Sequence, residues 1–218
     1  MGVIAAINQD SLAELRRVIR SGGLAVIPTD TVYGIVCDPY SDAAIDTLFA
    51  AKERPRSKSL QVLLPSVAAI DQLGLDLPDS LARLSSRFLP GAFSPICLAR
   101  PDCRLKTLRQ EAAGLTQAVR VPDSDDCRAA LAAAGPLAAS SANISGHPSV
   151  QSVQEAYDQL GDRVALYLDG GSTKGPTPST VVAVQPDQPG GVTILRQGAI
   201  GSDRIFEALG MGRQGGRG

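Results

Sequence analysis

Apolar residues recur along this chain at two spacings, and the alternation between them predicts its elements. Leu12, Leu15, Val18 and Ile19 share one face of a helix over Ser11 to Arg20, which Gly22-Gly23 stops. Leu24 to Ile27 then reads as a buried strand. Ser41 and Asp42 cap a second helix with Ala44, Ile45, Leu48 and Phe49 inward. It is expected to end near Pro55, because proline disfavours helical geometry in the residue before it. A strand over Leu60 to Leu64 follows.

Beyond it the alternation repeats. Helices are expected over Ser80 to Phe88 and Asp123 to Ala134, strands over Pro95 to Ala99 and Ala118 to Val121, and a short apolar stretch runs from Leu137 to Ala139. Residues 151 to 160 read as helical. Val164 to Leu168, Thr180 to Val184 and Val192 to Leu195 are rich in β-branched side chains and read as strands, the last two joined by a hairpin-type connection over Pro186 to Gly191. Ser202 to Leu209 would close the chain as a helix. This is an α/β pattern, and no repeat or low-complexity linker divides it, so residues 1–209 are expected to form one unit. The tail 210–218 has only glycine, arginine, methionine and glutamine, cannot build a core, and is expected to be disordered.

Composition changes the picture in three places. With 44% hydrophobic and 20% charged residues and no apolar run near the roughly 20 residues that span a bilayer, a membrane role is not expected. The N-terminus carries no secretion pattern, so a cytoplasmic location is expected. Cys37, Cys97, Cys103 and Cys127 form no C-x-x-C pair and fit reduced, mostly buried thiols, and with His147 as the single histidine a zinc site is not expected. The net charge of -1 means that any attraction for a polyanion must come from local clustering of Lys and Arg.

Four segments concentrate chemistry. Pro28-Thr29-Asp30-Thr31-Val32-Tyr33-Gly34 follows a buried strand and gathers three hydroxyls and a carboxylate, which fits either a site for an amino acid's polar groups or a self-satisfied turn. Lys52, Arg54, Arg56 and Lys58 lie within seven residues at a helix exit, more cations than a helix dipole requires, and form a candidate triphosphate clamp against the alternative of a solvated charged face. Ser140, Ser141, Asn143 and Ser145 sit among small residues that let backbone N–H groups approach phosphate, or else cap a helix. Arg120 and Arg196 lie in or at the end of apolar strands and Ser179-Thr180 follows Pro178. Buried arginines need an anionic partner, whether internal or a ligand. Neither a P-loop nor a dinucleotide fingerprint is present.

In order and spacing, Pro-Thr-Asp-Thr-Val-Tyr-Gly (28–34), Lys-x-Arg-Pro (52–55) leading to Lys58, Val-Arg-Val-Pro (119–122), Ser-x-Asn-x-Ser-Gly (141–146), Pro-Ser-Thr-Val-Val (178–182) and Leu-Arg-Gln-Gly (195–198) resemble the YrdC family of threonylcarbamoyl-AMP synthases over residues 8 to 209. The resemblance implies a YrdC-like fold, a twisted mixed α/β sheet with helices enclosing a basic cavity for ATP and L-threonine. It implies ATP binding by Lys52, Arg54, Lys58, Thr116, Ser141, Asn143 and Arg196, and threonine binding by Thr31, Arg120 and Ser179, with no covalent protein nucleophile. It further implies Mg²⁺ carried with ATP, bicarbonate as third substrate, and separate proteins that transfer the threonylcarbamoyl group to tRNA. Ser59 after Lys58, and Ala92-Phe93 within 90–94, depart from the family pattern. The chain ends soon after Leu-Arg-Gln-Gly, as in the short single-domain form. The alternative is an RNA-binding module in the same basic cavity, with weak tRNA or double-stranded RNA binding, though four Phe, four Tyr and no Trp leave few stacking surfaces. A serine hydrolase using Ser141 or Ser145 with His147 is disfavoured, since residues so close in sequence seldom reach nucleophile–base geometry. Tyr33 is expected to pack or hydrogen-bond, and His147 to sit in a surface loop.

Overall fold

The computed structural model describes residues 1–211; most of the glycine- and arginine-rich tail expected to be disordered, 212–218, lies outside them. Twelve strands join in one twisted mixed sheet. In chain order the elements are β1 (Val3–Ala6), α1 (Gln9–Arg20), β2 (Ala25–Ile27), β3 (Gly34–Cys37), α2 (Asp42–Ala51), β4 (Gln61–Leu63), α3 (Ala69–Gln72), β5 (Leu75–Asp76), α4 (Asp79–Phe88), β6 (Phe93–Ala99), β7 (Arg109–Glu111), β8 (Gly114–Arg120), α5 (Asp125–Ala134), β9 (Leu137–Ser141), α6 (Val153–Leu160), β10 (Leu166–Asp169), β11 (Thr180–Val184), β12 (Val192–Arg196) and α7 (Ser202–Ala208).

Local chemistry starts the predicted helices within two residues of the expected positions. Asn8 accepts from the Ser11 N–H while the Ser11 hydroxyl accepts from the Asn8 N–H, a reciprocal cap that begins α1 two residues before Ser11. Ser41, Ser124 and Ser152 cap α2, α5 and α6 in the same way through one bond each. Helix α2 ends at Ala51, four residues short of Pro55, because Lys52 is its C-cap and Glu53 takes a positive φ of 52°.

The sheet order is β1-β10-β2-β3-β9-β4-β8-β6-β11-β12, with β5 on β6 and β7 on β8. Four short elements that the sequence reading passed over, β1, β3, β5 and β7, belong to it; β3 is fully buried and lies centrally between β2 and β9. One face carries α1 and α5 over Ile27, Val36, Leu63 and Leu137. The other carries α2 and α6 over Val26, Ile35 and Tyr167. Full burial of a side chain such as Leu15 or Leu131 contributes about 1.5–3 kcal/mol. Helices α1 and α5 cover only one end of their face, and the same face continues through Ala139, Gln61 and Ala118 into an open cavity.

Candidate active site

The cavity has a volume of about 470 Å³ and is walled by six of the strands and the loops that enter them. Thr31, Arg54, Lys58, Arg120, Ser141, Ser179 and Arg196 line it, together with Gln61, Ser140 and Ser149. Seven of the ten residues singled out from the sequence therefore share one space.

The hydroxyl-rich segment at 28–34 divides between its two readings. The Thr29 hydroxyl closes a local turn, donating to the Val32 carbonyl at 2.7 Å and accepting from the Thr31 N–H at 3.1 Å. Asp30 and Thr31 instead reach 90 and 89 residues along the chain to Arg120, whose guanidinium donates to Asp30 Oδ1 at 2.6 Å and to Thr31 Oγ1 at 2.7 Å. A third bond runs from Arg120 Nε to the Gly91 carbonyl at 3.0 Å. A guanidinium carries five N–H donors, so two remain on a side chain that is only 2% exposed and borders the cavity. That arrangement suits a carboxylate, which accepts two parallel N–H bonds. The Tyr33 hydroxyl, as expected, is used for structure: it donates to the Gly171 carbonyl and accepts from the Gly170 N–H.

The cation cluster also divides. Arg54 and Lys58 face the cavity. Arg56 turns away, pairing with Asp46 and stacking 4.8 Å above the Phe49 ring, so only two of the four cations face the cavity directly. Lys52 is buried beneath the 141–143 segment, where Nζ donates to the Ser141 carbonyl at 2.5 Å and to the Asn143 carbonyl. Burial, and then the charge of Arg54, pull its pKa down to about 7. Desolvation followed by Arg109 lowers that of Arg54; desolvation followed by Arg120 and Arg54 lowers that of Arg196. These shifts share a physical origin, neighbouring positive charges whose guanidinium or ammonium groups are partly or wholly desolvated, which an anionic ligand relieves.

Residues 139–146 do not cap a helix. Ser141 closes β9, and the Asn143 amide donates to the Ile144 and His147 carbonyls, folding the loop while its Oδ1 stays buried without a partner. His147 is exposed, and among the described residues no hydrogen bond joins its ring to a serine, so a hydrolytic pair is not formed. Thr116 is buried with its hydroxyl directed at the Arg109 carbonyl, 3.4 Å away, and does not line the cavity.

Arg196 is placed by a contact that only glycine permits. A Cβ on Gly198 would lie 2.3 Å from the Pro178 carbonyl oxygen, so its absence lets Leu-Arg-Gln-Gly pack onto Pro-Ser-Thr. There the Thr180 hydroxyl accepts from the Gly198 and Ile200 N–H groups, while Arg196 donates to the Ser179 carbonyl through Nε and Nη2 and to the Ser179 hydroxyl at 3.1 Å. The Ser179 hydroxyl is 2.8 Å from that of Ser94, which donates to Gln61 Oε1 at 3.0 Å. Asp30, Gln61 and Ser94 were not singled out from the sequence. Asp30 stood inside a quoted motif and could have been paired with Arg120; nothing local marked Gln61 or Ser94.

Comparison with known proteins gives concordant matches. A family model named Sua5_yciO_yrdC and described as "Telomere recombination" matches residues 17–198. A candidate threonylcarbamoyl-AMP synthase of Mycobacterium tuberculosis is 39% identical over 193 residues, 88% of this chain and 86% of that one. A threonylcarbamoyl-AMP synthase of Bacillus subtilis is 32% identical over 205 residues, 93% of this chain and 58% of that longer one. The structure of P. abyssi Sua5 complexed with L-threonine superposes with a TM-score of 0.82 at 28% identity, covering 98% of this chain and 61% of that one.

Proposed function

We infer that this chain, which belongs to the Sua5–YciO–YrdC family, is a threonylcarbamoyl-AMP synthase, an enzyme of the nucleotidyltransferase type that serves tRNA modification. The observation that carries the reading is the single cavity in which Arg196 feels the charges of both Arg54 and Arg120, so that a polyphosphate and a carboxylate can be neutralised side by side. The relatives are named as synthases, which favours an enzyme over an RNA-binding module.

On this reading L-threonine's carboxylate sits on the two free N–H groups of Arg120, beside Thr31 and Ser179. ATP lies along Arg54, Lys58, Ser141 and Arg196, with Lys52 and Asn143 shaping the loop beneath and Lys52 adding charge through it. Thr116 contributes at most through Arg109. The amine of threonine takes up bicarbonate with loss of water, forming a carbamate. A carbamate oxygen then attacks the α-phosphorus of ATP, the bond to the β-phosphate breaks, and pyrophosphate leaves. No protein nucleophile is needed, and the contribution of the chain is positioning and stabilisation of phosphoryl charge. Among the described residues no group of three or more His, Cys, Asp or Glu could hold a metal ion, and Asp30 is committed to Arg120. Mg²⁺ is therefore proposed to arrive on the nucleotide's phosphates, where it would neutralise charge. No described helix is long and apolar enough to cross a membrane. Action in the cytoplasm, hand-over of the product to separate tRNA-transfer proteins, and any weak contact with tRNA or double-stranded RNA belong to the same proposal.

The test is pyrophosphate release from ATP and bicarbonate with and without L-threonine. Arg54→Ala should lower threonine-dependent release about 10²–10³-fold, the scale for losing one preorganised donor. Arg56→Ala, which removes an exposed pair, should stay within about twofold. Folded protein whose pyrophosphate release ignores threonine would overturn the assignment.

A further inference from the structure

Strand register places one side chain between the two halves of the cavity. Gln61 is level with Ala139 on one side and Ala118 on the other, and Ala118 is level with Ile96. Along β9, Ser141 stands two residues from Ala139; along β8, Arg120 stands two residues from Ala118. Because β9 runs antiparallel to β4 and β8 parallel to it, these two steps lead in opposite directions. Ser141 and Arg120 thus flank the Gln61 row, about 13 Å apart along the strands at 3.3 Å per residue. Whatever joins a nucleotide at Ser141 to a threonine at Arg120 passes over Ala139, Gln61, Ala118 and Ile96, and of these only Gln61 can hydrogen-bond.

Its orientation is set by a chain of donors. Arg196 donates to the Ser179 hydroxyl, and the Ser94 hydroxyl spends its proton on Gln61 Oε1, so the proton between the two serines belongs to Ser179. The chain runs Arg196, Ser179, Ser94, Gln61, and it holds the amide by its oxygen. The Gln61 Nε2 group makes no hydrogen bond among the described residues, and the side chain lines the cavity. A half-buried amide with its acceptor committed and its two donors free at the wall of a cationic cavity suits an oxyanion.

We propose that Gln61 binds the carboxylate of the carbamate, the group derived from bicarbonate, through its Nε2 hydrogens and holds it in line for attack on the α-phosphorus. The proposal rests on the synthase reading. Gln61 exchanges no proton; the bonds made and broken are those of the reaction already given, and the amide fixes the attacking oxygen's position.

Gln61→Met removes the donors at nearly constant volume, and Ser94→Ala keeps the amide but frees its oxygen. Steady-state pyrophosphate release with bicarbonate as the varied substrate, together with ATP binding measured without bicarbonate, reads both. Gln61→Met should raise the bicarbonate KM or lower kcat by about 10- to 100-fold, reaching the lower end of the scale for one preorganised donor, while ATP Kd stays within about twofold. Ser94→Ala should move the same parameter in the same direction by less. Wild-type-like bicarbonate kinetics in Gln61→Met would overturn the proposal while leaving the synthase reading intact, and so would an ATP Kd weakened as much as turnover. If Gln61→Met does not fold, unchanged bicarbonate kinetics in Ser94→Ala would overturn it equally. Wild-type protein without threonine- and bicarbonate-dependent release would remove the synthase reading and this proposal together.

Discussion

Binding of ATP should draw a proton onto Lys52. In the empty cavity, burial and Arg54 hold this side chain near pKa 7, so at pH 8 about nine-tenths of the protein carries it as a neutral amine. A neutral amine has two N–H groups, and both are taken by the Ser141 and Asn143 carbonyls. A polyphosphate lying against Ser141 offsets the positive field and favours the ammonium. The uptake per ATP bound then works out at about 0.9 proton at pH 8 and about 0.5 at pH 7, provided the bound form is fully charged. The affinity should correspondingly fall about fivefold between pH 7 and 8 and about tenfold, or about 1.4 kcal/mol, for each pH unit beyond. Calorimetric titration with ATP in buffers of different ionisation enthalpy measures the uptake directly, at pH values where the phosphates are already ionised. Lys52→Met should abolish it. Uptake that is absent at pH 8, or that persists in Lys52→Met, would refute the argument. The same shift has a consequence for the empty protein. Its folded pKa lies below the ordinary 10.5, so between pH 7 and 10.5 the unfolded chain holds a proton that the folded one has released, and the Lys52 contribution to stability rises with pH across that window.

Two further predictions concern what holds the cavity together. Asp30→Asn leaves the Arg120 guanidinium buried opposite a neutral partner and should cost about 3–5 kcal/mol in denaturant unfolding; a loss under about 1 kcal/mol would mean the pair behaves as though exposed. Thr180→Val keeps the side-chain shape but leaves the Gly198 and Ile200 N–H groups without their acceptor, and at about 1–3 kcal/mol for each unsatisfied buried group it should lower the thermal midpoint and weaken ATP binding through Arg196. An unchanged midpoint would show that the 197–200 loop is held by other contacts.

Much of this fold was legible because its signals are local. The apolar spacing in α1, the serine cap of α2 and the β-branched run of β11 each depend on residues within a turn or two. What was missed was short or lay at a margin: β1, β5 and β7 are too brief and too exposed to show alternation, and β3 hid behind a hydroxyl-rich loop because four buried residues carry no period. Arg56 was grouped with its neighbours since spacing records proximity and not direction.

By itself, then, the sequence determined the longer elements, the motifs that carry the family resemblance and the residue types of a site for anions. Only the tertiary structure decided which cations face the cavity, that Asp30 is spent on Arg120, that Lys52 is buried under the Ser141 loop, and that Gln61 stands midway between Ser141 and Arg120. The physical reason is that strand pairing, and with it the register that aligns β9, β4 and β8, is selected by burial across the whole sheet, where a slip of one residue would turn each of these side chains to the opposite face.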